Sequence, residues 1–225
     1  VKRLVRCRTY DGLRYEGAEV VWQKEMPRWL GSGAIARDPA TGRFLALVFS
    51  SRESDKLLWA LGSDDGLTWT LLKDEPVYID HDAFNLIWDA RSSQWIAYQI
   101  TYQKWPKRYK DNAGTDVRRV LHLRRSEDGI HWEPAERASL RGPHMPQDRL
   151  IAPDAEDPEE MEFYRLTVFP YVGRYAGMML NYAPSPVAGN PFAHTTDHGP
   201  QLSCEWWLSD DGERWEPASE EPFLE

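Results

Sequence analysis

The chain is poor in cysteine: Cys7 and Cys204 are the only two in 225 residues. Two cysteines cannot build a disulfide framework, and neither sits in a thiol or zinc-binding motif. Basic runs are also scarce. With 27 Lys and Arg against 36 Asp and Glu, the formal charge is -9, which argues against a nucleic-acid partner, because phosphate binding needs a concentrated basic face. The densest cationic stretch, "KWPKRYK" at 104–110, is followed by Asp111 and Asp116 and reads as a solvated loop. No apolar run approaches the ~18 residues of a membrane span, so no membrane partner is expected. Helical periodicity is nearly missing. "AEDPEEMEF" is the one place for a helical turn, with Asp157 as its cap and Pro158 at its first position. No signal-peptide pattern is visible, and the compartment and oligomeric state are left open.

What is present is aromatic and repetitive. Trp, Tyr and Phe make up 12% of the residues, a composition that suits β-structure. "SDDGLTW" runs from Ser63 to Trp69, "SEDGIHW" from Ser126 to Trp132 and "SDDGERW" from Ser209 to Trp215; "TYDGLRY", Thr9 to Tyr15, is a degenerate fourth copy. Asp-Gly supplies the positive φ of a tight turn, Ser and Asp cap nearby backbone N–H groups, and the aromatic returns to the core. Before each full copy comes an apolar run, a turn and an aromatic that opens another strand. The turns are placed at Asp38 to Gly42 before Phe44, at Asp89 to Ser93 before Trp95, and near Tyr171 to Gly173 before Tyr175. Arg37-Asp38-Pro39 therefore belongs to a hairpin.

Each unit reads strand, hairpin, strand, loop, strand, Ser-x-Asp-Gly turn, strand. The turn aspartates Asp11, Asp65, Asp128 and Asp211 are 54, 63 and 83 residues apart, a range suited to four-stranded propeller blades. The expected fold is all-β: a β-propeller of four-stranded antiparallel blades in a single domain over 1–225, with blades ending near 15, 70, 133 and 216. The chain starts at Val1, midway through a blade, so N-terminal blade material is expected to be missing.

On these motifs, "SEDGIHWEP" and "HDAFNLIWD" above all, the chain resembles the five-bladed β-propeller glycosidases, the superfamily of glycoside hydrolase families 32, 43, 62, 68 and 130. Sialidases carry a similar aspartate box, but the copies here have one residue fewer between Asp and Trp. The resemblance implies a carbohydrate substrate and no cofactor. It implies hydrolysis of glycosidic bonds in oligo- or polysaccharides by carboxylates in the channel, where one group protonates the leaving oxygen and another acts as nucleophile or base. Counting back 13 positions from Phe44, Trp95 and Tyr175 reaches Gly31, Asp82 and Glu162. Glu162 is similar in position to the family's general acid, and Asp82 to the aspartate that stabilises the transition state or tunes that acid's pKa. The chain departs from the family in having His81-Asp82-Ala83 and Glu162-Phe163-Tyr164 where family motifs have Asp-Pro and Glu-Cys-Pro or Glu-Gly-Pro. It also offers Gly31 where the family's nucleophile or base would stand.

Asp154, Arg149, Trp105, Tyr102 and His194 are the candidate sugar contacts, and Glu160 or Glu156 the substitutes for Glu162. His194, Asp197 and His198 in "NPFAHTTDHGP" lie close together in sequence, but spacing supplies no third metal ligand, and no metal is assigned. A non-catalytic carbohydrate- or protein-binding propeller is the competing reading, and Gly31 keeps it open.

Overall fold

A computed structural model describes residues 2–25, 33–52, 55–105, 117–134, 150–155, 157, 161–183 and 201–219. The described residues form strands and turns without a helix. β1 (Lys2–Arg8) and β2 (Glu16–Lys24) make a two-stranded sheet. A second sheet contains β3 (Gly33–Arg37), β4 (Phe44–Arg52), β5 (Asp55–Ser63) and β6 (Thr70–Leu71), with β7 (Tyr78–Ile79) also pairing to β5. A third contains β8 (Phe84–Asp89), β9 (Gln94–Lys104), β10 (Val117–Ser126) and β11 (Leu150–Ile151). A fourth contains β12 (Glu162–Tyr171), β13 (Arg174–Ala183), β14 (Gln201–Ser209) and β15 (Glu216–Pro217). All pairings are antiparallel.

The hairpins at Asp38 to Gly42, Asp89 to Ser93 and Tyr171 to Gly173 fall where the sequence places them. Asp38 is a turn residue: its carboxylate accepts the Ala40 N–H at 2.9 Å, and its carbonyl accepts the Gly42 N–H at 2.9 Å.

The sheets pack face to face, and the core lies between them. Leu4, Val21 and Trp22 of the first sheet meet Ala46, Leu61 and Trp69 of the second. Leu45, Leu47 and Leu58 of the second meet Phe84, Leu86 and Trp95 of the third. Tyr98, Ile100 and Leu121 of the third meet Phe163, Leu166 and Met179 of the fourth. A sheet buried on both faces needs continuous rather than alternating apolar runs, and β9, "QWIAYQITYQK", is buried from Trp95 to Thr101 accordingly.

The repeated turns share one geometry. Ser63, Ser126 and Ser209 each accept the glycine N–H at 2.8–2.9 Å. Asp65, Asp128 and Asp211 each accept two backbone N–H groups at 2.7–2.8 Å. Trp69, Trp132 and Trp215 donate their indole N–H to the glycine carbonyl at 3.0–3.1 Å. The degenerate copy does the same with Thr9 and Tyr15. Gly129 sits at φ 80°, and a Cβ there would lie 2.8 Å from Leu45 of the preceding sheet, so both backbone and packing require glycine. Each tryptophan thereby reaches a core shared with the sheet before its own: Trp69 packs near Trp22, Trp132 lies 5.5 Å from Tyr78, and Trp215 lies 5.8 Å from Tyr98.

The outer strands depart from the expected simple ribbon. In the second sheet the fourth position is split between β6 and β7, and in the third between a bridge at Glu133 and β11.

Candidate functional site

In these antiparallel sheets the starts of β3, β8 and β12, the ends of β4, β9 and β13, and the starts of β5, β10 and β14 share one rim. The first hairpins and the Ser-x-Asp-Gly turns close the other. Of the candidate residues, Asp82, Tyr102, Trp105, Asp154 and Glu162 are described, and they lie toward the first rim, here called the mouth.

Asp82 lies in the bend two residues before β8, and its side chain is 54% exposed. Its Oδ1 is 3.5 Å from His81 Nδ1. That contact is the main reason its carboxyl titrates below the usual aspartate value, with Lys56 adding to it against partial burial. His81 is buried, and Lys56 Nζ lies 2.9 Å from its Nδ1 and 3.0 Å from its Nε2. Burial pushes the His81 ring toward the neutral form; the Lys56 charge works in the same direction, and Asp82 and Asp80 oppose it. The His81 carbonyl accepts from the Gln99 amide at 2.6 Å, and its ring meets Tyr102 edge-on at 4.8 Å.

Beneath this segment Asp80 is buried. It accepts from Arg124 Nη2 at 3.1 Å, lies 3.0 Å from His122 Nε2 and accepts the His81 N–H at 2.8 Å. The Arg124 guanidinium stacks 4.8 Å from the Tyr78 ring. These contacts pin the strand entry that carries Asp82. Sequence reading missed them, and the only available signal was polar His122 and Arg124 alternating with apolar Leu121 and Leu123 in β10.

Glu162 opens β12 with no solvent exposure and forms an ion pair with Arg119 Nη1. The Arg119 guanidinium also lies 5.6 Å from the Tyr164 ring and 5.3 Å from the Tyr182 ring. A guanidinium in contact favours the ionised carboxylate, whereas a general acid must carry a proton.

Asp82 and Glu162 are not at equivalent ladder positions. The hairpin before Tyr175 has two connecting residues, Val172 and Gly173, against four before Trp95, and a bulge at Tyr164 takes back one step. Glu162 therefore pairs with Tyr182 inside the ladder, while Asp82 precedes its strand.

Tyr102 is the cross-strand partner of Arg119. Asp82, His81, Tyr102, Arg119 and Glu162 thus form one contiguous series. Trp105 is half-buried with the Arg118 guanidinium 3.8 Å over its ring. Arg118 also donates to Gln103 Oε1 and to the Pro153 carbonyl, both at 2.8 Å, and so joins Trp105 to the segment that leads into the exposed Asp154. The Asp154 N–H donates to Asp157 Oδ2 at 2.9 Å, and burial pushes the Asp157 carboxyl upward. Gly31, Arg149, Glu156, Glu160, His194, Asp197 and His198 lie outside the described residues, as does Pro158 of the expected helical turn. Among the described residues no three His, Cys, Asp or Glu side chains group as metal ligands.

No protein-family model matches the chain, and no curated protein matches it in sequence. Solved structures resemble it throughout. A glycoside hydrolase superposes with TM-score 0.61 at 12% identity, covering 99% of this chain and 66% of its own. An N-acetylgalactosamine deacetylase from F. plautii, in complex with blood group B trisaccharide, gives 0.59 at 12% identity, covering 97% and 60%. A family 117 glycoside hydrolase from the marine bacterium Zobellia galactanivorans gives 0.53 at 14% identity, covering 96% and 55%. The chain thus spans less than two thirds of the length of each. At these identities the likeness is one of fold: the chain is an all-β propeller of the type carried by glycoside hydrolases.

Proposed function

We propose that the chain is a single propeller domain that binds carbohydrate at the mouth and hydrolyses glycosidic bonds of oligo- or polysaccharides there. The observation that carries this reading is Asp82, an exposed carboxylate held ionised at a strand entry and joined through His81, Tyr102 and Arg119 to a second carboxylate, Glu162. An ionised, accessible carboxylate suits the base or nucleophile side of the reaction. For Glu162 to serve as the acid, Arg119 must leave it. Asp157 is pushed upward by burial, the direction a general acid requires. Tyr102 and Trp105 supply aromatic surface beside the sugar, with Asp154 as a hydroxyl acceptor and Arg149 and His194 as further contacts.

The second reading, a binding propeller without turnover, is favoured by the Glu162–Arg119 pair, which withholds one carboxylate from solvent. Incubation with a panel of oligosaccharides, read by product chromatography and by calorimetry, separates the two. Hydrolysis by the wild type that falls at least about 100-fold in Asp82→Asn, with sugar binding retained, supports the enzyme. Binding without products in the wild type supports the binder.

A further inference from the structure

Lys56, the second residue of β5, reaches His81 in the link between β7 and β8, and the proton inventory of Lys56, His81 and Asp82 restricts how they can be arranged. An ammonium has only protons to give, and a neutral imidazole has one lone-pair nitrogen and one N–H. Lys56 Nζ is within 2.9–3.0 Å of both ring nitrogens, so one of them must present its lone pair to it. Asp82 Oδ1 lies on the Nδ1 side, at 3.5 Å. An ionised carboxylate can only accept, so the lone pair belongs on Nε2, facing Lys56, and the N–H on Nδ1, facing Asp82. Tyr102 packs against the ring, and bonds from the His81 carbonyl and N–H to Gln99 and Asp80 fix the backbone that carries it.

We infer that Lys56, His81 and Asp82 form a relay in which His81 is a positioning residue, held as its Nδ1–H tautomer by Lys56, that keeps Asp82 the ionised proton acceptor of the mouth. The inference deepens the role given to Asp82 in the proposed hydrolase and rests on that reading for its catalytic meaning, though not for its charge arrangement. Among the described residues, Lys56 from β5, Tyr102 and Gln99 from β9, and Asp80 and Asp82 from the histidine's own segment are the charged and polar groups that face His81. Asp80 is itself engaged by Arg124 and His122 of β10.

The test is a substrate-free titration. Carbon-13 carboxyl NMR on aspartate-labelled protein follows Asp82, whose signal is identified by its loss in Asp82→Asn; ring-carbon signals follow His81. In His81→Leu the Asp82 midpoint is expected to rise by about 1 pH unit. In Lys56→Met the Asp82 midpoint rises by less, and the His81 ring titrates higher because a like charge has gone. An Asp82 midpoint unchanged in both variants overturns the relay, as does a His81 midpoint unchanged in Lys56→Met. Near-UV circular dichroism reports folding; if His81→Leu does not fold, Lys56→Met decides alone. Shifted midpoints together with a wild type that cleaves no sugar would retain the relay and reject the hydrolase.

Discussion

A carboxylate sealed from water is stable only while its counter-charge stays with it, and Glu162 meets that condition through Arg119. Glu162→Gln removes the carboxylate that Arg119 faces inside the protein, so it is expected to cost about 3 kcal/mol of unfolding free energy by urea denaturation. Asp82→Asn, at an exposed position, should change stability by less than about 1 kcal/mol. The contrast separates a carboxylate that holds the fold from one that faces the solvent, although both were found by the same count of 13 residues. That count could not see the difference. Exposure at Asp82 and burial at Glu162 follow from a hairpin two residues shorter and a bulge at Tyr164, and neither leaves a mark in composition or spacing.

Among the elements, the Ser-x-Asp-Gly turn is the one most completely legible from sequence, because its hydrogen bonds are all local. Asp128→Ala strips acceptors from the Ile130 and His131 N–H groups and is expected to cost about 1–2 kcal/mol, read as a lower urea midpoint. The same bonds give these turns a pH signature. The Thr68 and Leu67 N–H groups bring Asp65 down from 3.8 to about 2, and at Asp128 and Asp211 such bonds prevail over the opposing effect of burial. Folded carboxyls that titrate below their unfolded values contribute stability above about pH 4 and lose it as pH falls toward 2. The urea midpoint should therefore fall across that window, less steeply in Asp128→Ala. The outer strands were less legible, since two-residue pairings such as Thr70–Leu71 and Leu150–Ile151 carry no periodicity. The Asp80, His122 and Arg124 cluster was invisible for another reason: its members meet only when separate strands of two sheets come together.

Across the whole molecule, stability resides between sheets as much as within them. Tyr175 of β13 donates to Asp89 of β8 at 2.5 Å, and Arg91 reaches both the Tyr175 hydroxyl, at 3.2 Å, and the Asp210 carbonyl, at 2.5 Å. Tyr175→Phe is expected to lower stability by about 1 kcal/mol, and because the link joins the third and fourth sheets, the loss should shift the entire urea transition without splitting it. A separate early transition for the fourth sheet would contradict this coupling. On the far rim the Ser-x-Asp-Gly connections keep a constant length, six residues separating β5 from β6, β10 from the Glu133 bridge, and β14 from β15, whereas the first hairpins there span six, four and two. At the mouth the corresponding connections from β4 to β5, β9 to β10 and β13 to β14 span two, twelve and seventeen residues. The Ser-x-Asp-Gly turns thus fasten each sheet in the same way at one rim, while the other rim joins its strands through connections of unequal length. The sheet framework therefore carries connections of two to seventeen residues at the mouth without any change in the Ser-x-Asp-Gly turns that fasten its strands at the opposite rim.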